Sequence, residues 1–224
     1  MQNAIHQLLE QPGIWRANDP HGLTDRRPGA HIPTGFSSLD AVLPGGGFPN
    51  AALTEIIHEH HGLGELRVTM PALARLSRGG RWIALIAPPF VPYPPTLAAR
   101  GLDLSRVLVV HPSDHSQALW SVEQALRAGT CAAVLAWPKR CDDRSLRRLQ
   151  LAAEAGNSLG MLFRGVQATN ESSPAALRLH LAQAAQQRLG VRVLKCRGAP
   201  ASTIELDAGA DALRHEQKPL PLAL

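Results

Sequence analysis

Residues 53 to 66 read Leu53-Thr54-Glu55-Ile56-Ile57-His58-Glu59-His60-His61-Gly62-Leu63-Gly64-Glu65-Leu66. An apolar stretch runs into a polar turn with two glycines, after which Leu66, Met70, Leu73, Ala74 and Leu76 recur at helical spacing until Gly79-Gly80 stops the helix. Strand, glycine turn and helix together are the layout of a phosphate-binding loop. A working loop of that kind follows G-x-x-x-x-G-K-[ST], in which the lysine neutralises the β- and γ-phosphates and the hydroxyl holds Mg²⁺. Here Gly64 is followed by Glu65 and Leu66. A carboxylate at that position repels a triphosphate, and a leucine offers Mg²⁺ no oxygen. The turn positions His58, His61, Gly62, Gly64, Glu65 and Leu66 therefore read as a relict loop, with no cofactor expected and no ATP hydrolysis.

Outward from this loop, apolar strands alternate with helices. Strands are predicted at Trp82 to Ala87, Val107 to Val110, Ala132 to Trp137 and Leu159 to Phe163, with helices at Ser116 to Ala128 and Arg144 to Ala155. Strands apolar along their whole length are buried on both faces, which predicts an α/β, doubly wound, mainly parallel sheet with helices on both faces. Ala176 to Leu181, Val191 to Cys196 and Thr203 to Leu206 read as three more strands forming an antiparallel C-terminal edge. Two further positions bear on chemistry. An ATPase of this layout needs a carboxylate after the strand that follows the loop helix, and an aspartate closing a later strand. The first strand runs into Pro88-Pro89 and the second into Trp137-Pro138, so both positions are empty and the chain is expected not to be an enzyme.

At 224 residues and 45% hydrophobic, the chain suits one sizeable core. The expected organisation is a flexible leader over 1–32, a core domain over 33–207 and a flexible tail over 208–224. The net charge of +5 favours acidic partners, or serves solubility alone. Three cysteines without paired spacing fit a reducing compartment, and neither a membrane-length apolar run nor a signal-peptide core is present, so a soluble cytoplasmic protein is expected.

Several segments carry a resemblance. Pro33-Thr34-Gly35-Phe36-Ser37-Ser38-Leu39-Asp40, Leu43-Pro44-Gly45-Gly46-Gly47-Phe48-Pro49 and Leu53-Thr54-Glu55-Ile56 resemble the approach to the ATP loop in the RecA recombinase core. From Leu53 to about Arg164 the chain is similar to SulA, a cell-division inhibitor with a RecA-like fold and no ATPase motifs. The segments Arg75 to Ala84, Gly101 to Arg106, Gln124 to Gly129 and Leu149 to Gly156 resemble the ImuA family, accessory proteins of SOS-induced translesion synthesis. That resemblance implies a RecA-like fold and a scaffold without catalysis in a mutasome. Its implied partners are the Y-family-like protein ImuB, an error-prone replicative-type polymerase and RecA itself, in the cytoplasm and on the nucleoid during DNA damage. The SulA resemblance implies instead an inhibitor that binds FtsZ. The RecA-like segments Ser173 to Leu179 and Val191 to Lys195, beyond the reach of the SulA likeness, weigh toward the ImuA reading. The loop that binds DNA in RecA would correspond to Gly165 to Ser173, which is short.

Other candidates follow from residue type. His58-Glu59-His60-His61 has metal-binding side chains, but neighbours in a turn do not converge on one ion, so a solvated turn and no metal site are expected. Ser113, Asp114 and His115 read as a helix N-cap and not as a catalytic set. Lys139 and Arg140 precede Arg144, Arg147 and Arg148, whose i, i+3, i+4 spacing gathers guanidinium groups on one helix face. Three readings stand for this patch: a solvated face, a partner-protein contact, or non-specific contact with the DNA backbone. Finally, Gln217, Leu220 and Leu222 resemble the Q-x-x-L-x-L peptide that docks into the sliding clamp, against the reading of an inert tail.

Overall fold

The alternation of buried strands and amphipathic helices produces a single eight-stranded sheet in the computed structural model, which describes residues 31–184, 188–196 and 201–206. A two-residue strand β1 (His31–Ile32) pairs with β2 (Phe48–Pro49), and α1 (Ser37–Val42) lies between them. There follow β3 (Leu53–His58), α2 (Glu65–Ser77), β4 (Trp82–Ile86), α3 (Pro94–Ala99), β5 (Val107–Val110), α4 (His115–Arg127), β6 (Cys131–Ala136), α5 (Asp143–Gly156) and β7 (Leu159–Gly165). The chain closes with β8 (Leu177–Gln183), β9 (Leu189–Cys196) and β10 (Ser202–Leu206).

The strand order is β10-β9-β8-β3-β7-β6-β4-β5, parallel from β8 to β5. In the eight-stranded sheet the antiparallel pairings are β8 with β9 and β9 with β10. The three C-terminal strands thus form the expected antiparallel edge, in which β9 alone runs against the rest of the sheet. Segment 177–183 pairs parallel with β3, because its return crosses over through the loop after β7 instead of through a hairpin.

Side chains along the central strands alternate between two separate cores. On β4, Ile83 and Leu85 join the cluster of Val68 and Leu73 from α2 and Leu97 from α3. Ala84 and Ile86 join that of Val122 and Leu126 from α4 and Leu146 and Leu149 from α5. Helices therefore cover both faces, as the continuously apolar strands require. The helix starts are set by caps: Asp114 accepts from the Gln117 amide at 2.8 Å and Asp142 from the Ser145 amide at 2.9 Å. The N-cap reading of the Ser113-Asp114-His115 segment agrees with this geometry.

Two elements had no periodic signal to announce them, α1 and α3, each six residues long. Phe36 and Leu39 are fully buried beside α2, and the Asp40 carboxylate accepts from the Thr34 amide at 2.9 Å. The threonine-glycine to leucine-aspartate segment is thus a self-capped plug for one core. Gly35 takes φ +90°, and a Cβ there would lie 2.4 Å from the Pro71 Cβ on α2.

Candidate functional site

β3 ends at His58, the turn crosses to Gly64, and α2 begins at Glu65. Gly64 adopts φ +121°, a conformation that side-chain-bearing residues rarely reach, and so aims the loop amides inward. What they meet is the protein's own carboxylate. The Gly62 amide donates to the Glu65 oxygens at 3.0 and 3.2 Å, and the Gly64 amide donates to Oε2 at 3.1 Å. Glu65 is buried, at the positive end of the α2 dipole, where an anion is favoured. The form of an anion cradle is kept, and Glu65 fills it.

His58 corrects one expectation. It is not in a solvated turn but is the last residue of β3, 2% exposed, with both ring nitrogens lacking a hydrogen-bond partner. Burial pushes its pKa below the ordinary histidine value, against the opposing charge of Glu65. Its ring lies 4.8 Å from that of His61, which meets Phe90 edge-on at 6.3 Å. Glu59, His60 and His61 are exposed, and among the described residues no group of three His, Cys, Asp or Glu side chains is placed to hold a metal ion.

The two other ATPase positions are occupied by apolar groups. After β4, Ala87 turns with φ +52° into the Pro88-Pro89 arm. After β6, Trp137 stacks on Phe163 with centroids 4.6 Å apart and planes 13° from parallel. Between them opens a pocket of about 320 Å³ whose wall includes Glu65, Leu66 and Trp137.

The sequence reading missed a buried ionic network on the α5 side of the sheet. Glu55, fully buried on β3, accepts from Arg164 Nη1 on β7 at 2.7 Å and from Arg178 Nε on β8 at 2.6 Å. Arg178 stands directly across from Glu55 in the β3–β8 register. Arg164 also reaches the Glu171 carboxylate at 2.6 Å and the Cys141 carbonyl at 3.1 Å, and Arg178 donates to the carbonyls of Ala168 and Glu171. Burial opposes charge on Arg164, yet Glu55 and Glu171 outweigh it and hold its pKa above the ordinary value. Both arginines thus tie down the loop Gly165 to Ser173, and Lys195 Nζ donates to the Ser173 carbonyl at 2.6 Å. A charged residue inside an apolar strand, here Glu55 in Leu53-Thr54-Glu55-Ile56-Ile57, was the available signal, since such a charge is stable only when paired.

The arginine patch is partly self-neutralised. Arg147 Nε pairs with Asp143 at 2.8 Å, and Arg148 pairs across to Glu123 of α4, which also holds Arg127. Arg147 and Arg148 therefore turn to different partners. Lys139, Arg140 and Arg144 are exposed. Gln217, Leu220 and Leu222 lie outside the described residues.

Sheet, turn and helix define an α/β domain built around a phosphate-type loop whose anion seat is filled from within. Comparison with known proteins narrows this class. The family model for the cell division inhibitor SulA matches residues 52–160. The SulA cell division inhibitor of Cronobacter sakazakii is 33% identical over 116 residues, covering 50% of this chain and 69% of that protein. That of Edwardsiella piscicida is 32% identical over 93 residues, 42% of this chain and 55% of the relative. The chain belongs to the SulA family. It spans 55% and 65% of the length of the Edwardsiella and Photorhabdus relatives. RecA of Clavibacter michiganensis is also similar, 32% identical over 109 residues, 49% of this chain and 30% of that protein. Among the described residues, no helix is long and apolar enough to cross a membrane.

Proposed function

We propose that this protein is a SulA-like inhibitor of cell division that works by occupying a partner and performs no catalysis of its own. The observation that carries the reading is the filled cradle: Glu65 satisfies the Gly62 and Gly64 amides that a nucleotide phosphate would need. The family relationship supports the same reading, and FtsZ is the partner that the SulA resemblance of the sequence implies. Exposed apolar side chains beside the loop, Phe90, Val91 and Tyr93, supply the kind of surface that protein partners cover. The test is sedimentation of GTP-assembled FtsZ in the presence of the full chain. A stoichiometric loss of pelletable polymer is expected, and undiminished polymer at a fivefold excess of the chain overturns the reading.

One observation favours a second reading. The chain continues past the family match with β8, β9 and β10, and the RecA-like resemblance continues with it. In that reading the protein is an ImuA-like scaffold of translesion synthesis with ImuB, an error-prone polymerase, RecA and the sliding clamp as partners, and with non-specific DNA contact through Lys139, Arg140 and Arg144. Capture on the immobilised chain from damage-induced cells separates the two: FtsZ in the first case, polymerase components in the second.

A further inference from the structure

The pocket beside the filled loop has a chemical signature of its own. It lies at the carboxyl ends of β4 and β6, whose onward connections leave on opposite faces of the sheet, β4 through α3 and β6 through α5. Adjacent strands that diverge in this way leave a crevice between them, and ligands of open α/β sheets bind there. Met70, Leu73, Leu85, Leu97 and Leu102 form an apolar floor, each of them buried. The outer wall is the arm from Pro88 to Pro95, stiffened by five prolines and carrying the exposed Phe90 and Tyr93.

The polar groups of the lining are unbalanced. Trp137 is 8% exposed, and its indole N–H is buried without an acceptor. Arg67 Nε is likewise buried without a partner, and Arg100 brings an exposed guanidinium to the rim. Against these donors stands one acid, Glu65, whose oxygens are taken up by the Gly62 and Gly64 amides. A buried donor without an acceptor is destabilising, and a ligand acceptor relieves that penalty on binding.

We infer that this pocket binds an amphipathic anion: an apolar body seated on the leucine floor and a carboxylate head received by Arg67, Arg100 and the Trp137 N–H. The volume of about 320 Å³ accommodates an aliphatic carboxylate of about ten carbons, at the lower end of the range of small-molecule sites. The assignment does not rest on inhibition of division, although Phe90 and Tyr93 belong both to this wall and to the surface offered to a partner.

The test is titration calorimetry of the full chain with decanoate below its micelle concentration, with decanol and decyltrimethylammonium as neutral and cationic controls. Decanoate is expected to bind at one per chain, at least about tenfold more tightly than decanol, with no binding of the cation. The double variant Arg67→Ala/Arg100→Ala should lose about tenfold in decanoate affinity and change decanol little. Thr96→Trp, which fills the mouth from an exposed position, should abolish binding of both while the circular dichroism melt stays in place. No saturable decanoate binding, equal affinity for decanol, or a double variant that binds decanoate as well as the parent overturns the assignment.

Discussion

Replacing Glu55 by glutamine removes the charge that holds two buried guanidinium groups together. The carboxylate is fully buried and takes one hydrogen bond from each arginine, at 2.7 and 2.6 Å, while the arginine side chains are only 6% and 8% exposed. Breaking a buried ion pair by removing one partner costs about 3–5 kcal/mol, because a desolvated charge is left uncompensated. Arg164 keeps Glu171 and a carbonyl, and Arg178 keeps two carbonyls, so the lower end of that range applies. A loss of about 3 kcal/mol corresponds to a melting point lower by about 6–12 °C for a chain of this size. Thermal melts and urea titrations by circular dichroism measure both quantities. The triple variant Glu55→Met/Arg164→Met/Arg178→Met, which removes every charge of the clamp, should recover most of the loss. Were Glu55→Gln to cost less than about 1 kcal/mol, or the triple variant to fall well below the single one, the network would not be the clamp described.

Four other outcomes are expected. Because burial lowers the His58 pKa, the unfolded chain binds the proton more readily, so stability is complete above pH 6.5 and declines as pH falls below it; His58→Asn should flatten the decline between pH 7 and pH 5 in urea titrations. Millimolar ATP should leave the melting point of the parent unchanged, whereas Glu65→Ala, by freeing the Gly62 and Gly64 amides, should allow pyrophosphate to raise it; a parent that melts higher with ATP would refute the filled cradle. Charge reversal of Lys139, Arg140 and Arg144 should weaken a salt-sensitive association with FtsZ or with duplex DNA, leaving stability within about 0.5 kcal/mol, while Arg148→Glu should destabilise by placing a second carboxylate against Glu123. A peptide of residues 213–224 should bind the sliding clamp at about micromolar Kd and lose that binding with Leu220→Ala/Leu222→Ala, as fluorescence anisotropy would read; a silent peptide returns the tail to the inert class.

The parallel sheet was legible because its signal is local. Ile83 to Ile86 and Ala132 to Ala136 are apolar without interruption, and only burial on two faces accounts for that. The missing lysine and hydroxyl after Gly64 were equally plain, since the motif is a matter of residue identity at fixed spacing. What the sequence could not supply was the placement of polar groups across the sheet. Glu55 stands 109 residues from Arg164 and 123 from Arg178, and only the register of β3 against β7 and β8 brings the three together. His58 read as part of a polar turn because its three successors are polar, yet strand pairing with Leu181 carries it inside. The helix spacing of Arg144, Arg147 and Arg148 was correct, but the packing of α5 against α4 decided that Arg148 answers Glu123. Hydrophobic period and motif spacing fix the longer strands and helices, because each depends on neighbours in the chain, whereas the six-residue α1 and α3 carry no such signal. Pairing of charges, closure of the anion cradle and the pocket at the diverging strands depend on neighbours in space, and those belong to the tertiary structure alone.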